Sequence, residues 1–380
     1  MSPDRGARQG AGDEDHGGAV VAIFGPTAVG KTPVAARVAH TLGVRVVSCD
    51  SMQIYRGFPV LTNQPSASVG GATVRHELVG VAAPEEEWTA AQYAERAQAL
   101  IDEDLARSGW AVISGGTGLY LRAALAPLEM AKPGDPALRA ELEELAEREG
   151  PYRLHERLAA ADPAAAAGIH PHNVRRVVRA LEVAAAASGQ TWSGRTDLWA
   201  PSYRHATLLV GLVAERRLLY ERVDRRAWEM VRGGAVEEVR RYRDEALCDR
   251  GAVADAEPGL RRGSGRGIER AIGYSEISQH LDGYQSLDEV SAQLAAATRR
   301  YVRRQLTWMR KLEDAVIMDV SESDVETTAS SIVERALGFR SGATESRVSG
   351  SDAHPTDEVS AERERDGRRS DPDAASDPPG

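Results

Sequence analysis

A lysine and a threonine close the stretch "GPTAVGKT", at the spacing of a phosphate-binding loop. Gly25, Pro26, Thr27, Ala28, Val29, Gly30, Lys31 and Thr32 fit the pattern Gly-x-x-x-x-Gly-Lys-[Ser/Thr]. The glycines let consecutive backbone N–H groups converge on phosphate oxygens. The lysine adds a point charge, and the hydroxyl of Thr32 can ligate Mg²⁺. Alone, the pattern does not separate a kinase or ATPase from any other protein that holds a diphosphate. Asp50 ends "VRVVSCD", where a carboxylate can act as general base toward an attacking amine, cap the next turn, or stand behind a magnesium ion. Thr117, in "SGGTG", offers a hydroxyl to phosphate or to a substrate base, or caps a helix after a tight glycine turn.

These residues meet only if the right elements carry them. Ala19–Phe24 reads as a buried strand running into the loop, and a helix opens at Lys31. "VRVVSCD" and "WAVISGG" read as further strands, the second leading to Thr117. Between them "WTAAQYAERAQALIDEDLARSG" reads as a helix, with Thr89 and Gln92 as a capping box and Gly109 as its stop. This order predicts a parallel sheet with helices on both faces, its ligand at the carboxyl ends of the strands. The loop, Asp50 and Thr117 would share that edge.

From Asp135 to Gly189 the chain is Ala-, Glu-, Arg- and Leu-rich at helical spacing, with no convincing strand. It reads as an all-helical insertion over residues 135–200, dividing a core of 19–134 and 201–340. "ATLLVGLVA" returns the chain to the sheet. Helices are expected at about Glu215–Arg232, Ala235–Glu245 and Leu287–Leu312.

The net charge of −10 weighs against a nucleic-acid partner only if it lies on the folded body. Residues 341–380 hold ten acidic and five basic side chains, residues 1–18 four and two, so −3 remains for the body. Both ends are polar and nearly free of apolar residues, and read as disordered tails. No uncharged apolar run reaches the ~18 residues of a membrane span, and the first residues lack a signal peptide's apolar core. Two cysteines are too few for a disulfide framework. The cytoplasm is the expected compartment, and a monomer the expected state.

Two basic clusters remain. In "TRRYVRRQLTWMRK", Arg299, Arg303 and Arg310 fall on one helical stripe, with Arg300, Arg304 and Lys311 beside it. Such a face suits phosphate contacts or is merely a solvated helix face, while Tyr301 and Trp308 pack inward or stack on bases. Arg175, Arg176 and Arg179 make a smaller patch on the insertion.

"GPTAVGKT", "DSMQIYRG", "SGGTGLYLRAAL", "DPAAAAGIHPHNVRRVVRALEV", "AIGYSEI" and "RRQLTWMRK", in that order, resemble the tRNA dimethylallyltransferases (tRNA isopentenyltransferases) from about Ala19 to Val320. The resemblance implies a P-loop NTPase-like α/β fold. It also implies transfer of a dimethylallyl group from dimethylallyl diphosphate to N6 of the adenosine directly 3′ of the anticodon. The loop's phosphate would then be the prenyl diphosphate, with Mg²⁺ on Thr32. Asp50 would be the base, Thr117 a residue of the substrate channel, and Arg226 the diphosphate arginine, with Arg222 and Arg225 as neighbours in "ERVDRRAWEM". Contacts to the tRNA anticodon stem-loop would come from Asp50, Ser51, Met52 and Gln53, from the insertion arginines, from Gly273 and Tyr274, and from Arg303, Arg304, Gln305, Trp308 and Arg310.

The chain departs from this pattern at "LTNQP" (Leu61–Pro65), where many relatives have "GTAKP", and "SGGT" replaces the commoner "VGGT". A P-loop small-molecule kinase is the second reading. It leaves unexplained a third strand ending "VISGG" instead of in a Walker-B aspartate. A non-catalytic, nucleotide-gated RNA-binding protein is a third.

Overall fold

The computed structural model describes residues 18–66, 68–69, 72–127, 135–186, 202–251 and 267–349. Eight strands run in chain order: β1 (Ala19–Phe24), β2 (Val46–Ser48), β3 (Ser68–Val69), β4 (Ala72–Thr73), β5 (His76–Glu77), β6 (Trp110–Gly115), β7 (Ala206–Val213) and β8 (Val316–Asp319). Six of them form one sheet in the order β5-β2-β6-β1-β7-β8, and every pairing in it is parallel. The other two, β3 and β4, pair antiparallel with each other.

Central β1 is fully buried because the sheet is covered on both faces, which is why its sequence is an unbroken apolar run. Its alternation still divides the core. Val20, Ala22 and Phe24 face one cluster, and Ala19, Val21 and Ile23 face the other.

The helices are α1 (Lys31–Leu42), α2 (Ala90–Ser108), α3 (Gly118–Leu125), α4 (Pro136–Glu149), α5 (Pro151–Ala161), α6 (Pro163–Gly168), α7 (Val174–Ala185), α8 (Arg216–Met230), α9 (Val236–Gly251), α10 (Tyr274–Leu281), α11 (Leu287–Met309) and α12 (Val325–Ser349). As the spacing predicts, α2 begins on a capping box of Thr89 and Gln92 and stops at Gly109 in the left-handed region. The described part of the insertion, α4 to α7, is all helical. It has its own small core, including Leu142, Leu154, Leu158, Val177 and Leu181. Prolines open α4, α5 and α6, where a missing N–H costs nothing, and Asp135 and Asp162 cap the first and third. Residues 187–200 of the expected insertion lie outside the described residues, as do 1–17 and 350–380 of the expected tails.

The sequence reading does not anticipate the short hairpin β3–β4, helix α10, strands β5 and β8, or helix α12. Strand β5 is too short to leave a periodic signal, and β8 sits at the sheet edge with its burial alternating. Helix α12 lays Ala329, Ile332 and Ala336 against the same core cluster as α1. It runs to Ser349, past the boundary expected at residue 340.

Candidate active site

The phosphate loop leaves β1 and enters α1. Ala28 and Gly30 hold φ of 66° and 103°, which turns successive peptide N–H groups toward one concavity. No side chain caps α1, so the N–H groups of its first turn are left for an anion. Gly25 is required by its neighbour, because a Cβ there would stand 2.7 Å from the Leu212 carbonyl oxygen on β7.

Lys31 folds over the loop and donates from Nζ to the Pro26 carbonyl at 2.6 Å. Burial lowers its pKa to about 8, assisted by the Arg226 charge and opposed by the Asp50 carboxylate. From α8, Arg226 reaches Thr27 Oγ1 at 3.5 Å, and Arg222, one turn earlier, reaches the Ala28 carbonyl at 3.5 Å. Arg225 is 69% exposed and turns to Glu229. Of the three α8 arginines, Arg222 and Arg226 therefore face the loop.

Asp50 follows β2, on the other side of β6 from the loop. Its Oδ1 accepts the N–H of Met52 at 2.9 Å and of Gln53 at 3.4 Å, so the turn-capping reading of this residue holds. Capping leaves the chemistry open. Burial raises the Asp50 pKa, against the pull of the Met52 amide and the Lys31 charge. A carboxylate made more basic while it faces a cation is suited to take a proton.

Thr117 is the N-cap residue of α3, and its hydroxyl accepts the Ser51 N–H at 3.1 Å while lying 3.4 Å from Ser51 Oγ. The Thr117 N–H in turn donates to the Cys49 carbonyl at 3.1 Å. The turns after β2 and β6 are thus laced together. Gly115 allows this approach, since a Cβ there would meet the Cys49 carbonyl oxygen at 2.4 Å.

Helix α11 closes the site. Tyr301, Gln305 and Trp308 follow an i, i+4, i+7 spacing and share its inward face. Tyr301 OH lies 3.4 Å from the Gly116 carbonyl, and burial followed by the Asp50 charge pushes its phenol pKa up. Trp308 packs over Gly118, where a Cβ would stand 1.9 Å from the indole. The outer face carries Arg300, Arg303 and Arg304, which with Thr307 and Trp308 line an open pocket of 420 Å³. Arg310 is exposed at the end of the helix.

Several residues expected to touch RNA have other positions. Gln305 is only 3% exposed, with both ends of its amide bonded inside the protein. Arg299 forms an ion pair with Asp224 of α8, so it leaves the expected basic stripe and joins two helices instead. Tyr274 is buried, and Gly273, at φ 101°, is the N-cap residue of α10 packed against Leu294 and Leu61; this segment is a packing joint. Arg179 pairs at 2.8 Å with Glu182, a buried acid that also holds Arg139 at 2.7 Å. Arg175 and Arg176 remain exposed. Ser51, Met52 and Gln53 form the half-buried turn after Asp50.

Two further residues support that turn without any sequence signal. Gln64 donates to the carbonyls of Gln53 at 3.0 Å and Tyr55 at 2.7 Å. Glu238 accepts the N–H groups of Val60 and Leu61 at 2.7 and 2.8 Å. An acid within the Glu- and Arg-rich α9 reads as surface until the fold buries it.

A family profile described as IPP transferase matches residues 53–312. A tRNA dimethylallyltransferase of an Exiguobacterium species is 39% identical over 84% of this chain and 96% of its own length. The solved full-length tRNA isopentenylpyrophosphate transferase of Bacillus halodurans superposes with a TM-score of 0.60 at 32% identity, covering 87% of this chain and 99% of that one. A eukaryotic dimethylallyltransferase solved while acting on tRNA shares the fold, with a TM-score of 0.68 at 23% identity over 87% of this chain and 80% of its own. The chain belongs to the tRNA dimethylallyltransferase family.

Proposed function

We propose that the protein transfers a dimethylallyl group from dimethylallyl diphosphate to N6 of the adenosine directly 3′ of the anticodon in tRNA, giving N6-dimethylallyladenosine and diphosphate. The observation that carries this reading is electrostatic. The buried Lys31 ammonium of the phosphate loop and the buried Asp50 carboxyl are near enough to act on one another, with Arg226 beside the loop. A cationic clamp for a leaving group thus faces a base for an incoming amine.

In this scheme N6 attacks C1 of the prenyl group, the C1–O bond breaks, and diphosphate leaves carrying the bonding pair. The N6 proton passes to Asp50. Lys31, Arg226 and the uncapped N-terminus of α1 neutralise the charge that develops on the leaving oxygens. Thr117 holds the Ser51 amide, so the turn that carries Asp50 keeps its orientation while the base enters. The reactive base must leave its stack to reach a cleft between loops. Arg303, Arg304 and Arg310 on α11, with Arg175 and Arg176 on the insertion, would hold the RNA backbone beside it.

Thr32 is the second residue of α1, beside the phosphate concavity, and is the protein ligand expected for Mg²⁺. Among the described residues no group of three His, Cys, Asp or Glu side chains could hold a metal. A single hydroxyl fits Mg²⁺ where substrate phosphate oxygens and water complete the octahedron. When bound, Mg²⁺ would supply further charge neutralisation on the diphosphate.

The protein is further proposed to act as a monomer. None of the described helices is long and apolar enough to cross a membrane, and cytoplasmic tRNA is the natural substrate pool.

The test is incubation with dimethylallyl diphosphate, Mg²⁺ and unmodified tRNA, followed by nucleoside mass analysis. Gain of one dimethylallyl group on adenosine is expected. ATP consumption on a small-molecule acceptor with no prenyl transfer would establish the kinase instead. Against the kinase, β6 ends at Gly115 and presents no acid at the position of a Walker-B aspartate.

A further inference from the structure

Gln305 is the group that joins the two halves of the site. It sits on the inward face of α11, one turn after Tyr301, at 3% exposure. Its Oε1 accepts the Thr27 N–H of the phosphate loop at 2.8 Å, and its Nε2 donates to the Gly116 carbonyl at 2.9 Å. Thr27 is also the residue whose hydroxyl Arg226 approaches, and Gly116 directly precedes Thr117. One side-chain amide therefore spans the loop that holds the leaving group and the turn that orients the base. The fit is close, because a Cβ on Gly116 would stand 2.1 Å from Nε2.

We propose that Gln305 is a positioning residue that fixes the separation of the phosphate loop from the Asp50–Thr117 turn, and that it makes no direct contact with tRNA. The proposal rests on the prenyl-transfer reading above and deepens it. A buried amide bonded at both ends resists rotation, since freeing either end leaves a buried polar group unpaired. The adjacent residues Arg303 and Arg304 lie on the outer surface of the same helix turn. The helix thus meets RNA on one side and sets the catalytic spacing on the other.

The test uses the full chain and three variants: Gln305→Met, Gln305→Glu and Gly116→Ala. Inorganic diphosphate binding is measured by calorimetry without RNA, tRNA binding by filter retention, and turnover with both substrates. Loss of a two-ended buried bridge should weaken diphosphate binding about fivefold to tenfold in Gln305→Met. Its tRNA affinity should stay within about twofold of the parent. Gly116→Ala, whose φ is not in the left-handed region, should give the same pattern by displacing the amide. The double variant should be no worse than either single one, as expected for two groups in one bridge.

Gln305→Glu supplies a readout that a purely space-filling role would not move. As an ionised acid it still accepts from Thr27 but opposes the Gly116 carbonyl, and as a protonated acid it can donate again. Its diphosphate affinity, relative to the parent at the same pH, should therefore recover as pH falls. This comparison holds even if Gln305→Met does not fold. Weakened tRNA binding with parental diphosphate binding would make Gln305 an RNA contact and overturn the proposal. So would a pH-independent ratio in Gln305→Glu, or strictly additive effects of the two single variants. Absence of prenyl transfer by the parent would instead defeat the functional reading, leaving the diphosphate measurements to stand by themselves.

Discussion

In the proposed reaction Lys31 and Asp50 set the pH range in which the site works, because each must carry its charge. In the free protein burial holds the Lys31 pKa at about 8, so its ammonium is lost above that pH and the clamp weakens. We expect kcat/KM for the prenyl diphosphate to fall about tenfold per pH unit above that value. The bound diphosphate favours the ammonium, so the alkaline limb of kcat should lie higher than that of kcat/KM. On the acid side, the burial that raises the Asp50 pKa places loss of the base above the ordinary carboxylate range. Asp50→Asn separates the two roles of this residue, since an asparagine Oδ1 still accepts the Met52 and Gln53 N–H groups. Turnover should fall by roughly 10²- to 10⁴-fold with the acid limb gone, while tRNA affinity persists. Near-parental turnover would remove Asp50 from the chemistry. At this scale the sequence was informative wherever function depends on local spacing. The phosphate loop, Asp50 and Thr117 each lie in a short motif. It was blind where function depends on a distant partner. Nothing local to Gln305 announces the two loops that it bridges, and nothing in "VEEVRR" announces that Glu238 is buried.

Helix α11 divides its labour by face. The basic residues Arg303, Arg304 and Arg310 are exposed, whereas Arg299, on the stripe with two of them, is bound to Asp224 of α8. Replacing the three exposed arginines with alanine should weaken tRNA binding and flatten its dependence on salt. The slope of log K against log salt should lose roughly 0.7 to 0.9 per phosphate contact removed. Arg299→Ala should leave that slope unchanged and act on stability instead, by no more than about 1 kcal/mol for a partly exposed pair. Salt titrations of the two proteins beside the parent decide the matter, and an unaltered slope in the triple variant would make the face merely solvated. The stripe was legible from the 3.6-residue period, but the partner of Arg299 was not. Helical phase says which residues share a face; only packing says which face another helix covers. The same limit applies to β5 and β8, whose strand character comes from pairing with the sheet more than from their own composition.

At the scale of the whole molecule, the proposed catalytic groups are held where the carboxyl ends of β1, β2 and β6 meet α8 and α11. The Exiguobacterium relative is covered over 96% of its length by 84% of this chain, and the sequence after Ser349 is polar and nearly free of apolar residues. Truncation after Ser349 should accordingly leave kcat within about twofold of the parent in a steady-state assay, and a larger loss would assign those residues a role. The order of the chain has a further consequence. Thr27 and Gln305 are 278 residues apart, and β1 lies between β6 and β7, the latter made only at Ala206–Val213. At ~5–20 residues per second, a ribosome needs roughly 15–55 s after making the loop to supply its brace. For much of that interval the central strand has an unpaired edge, the kind of exposure that nascent-chain chaperones cover. A polypeptide released early would hold the phosphate loop, Asp50 and Thr117 and still lack the part that sets their spacing. Competence thus arrives only once Gln305 has been made, and products that stop before it should be inert toward tRNA.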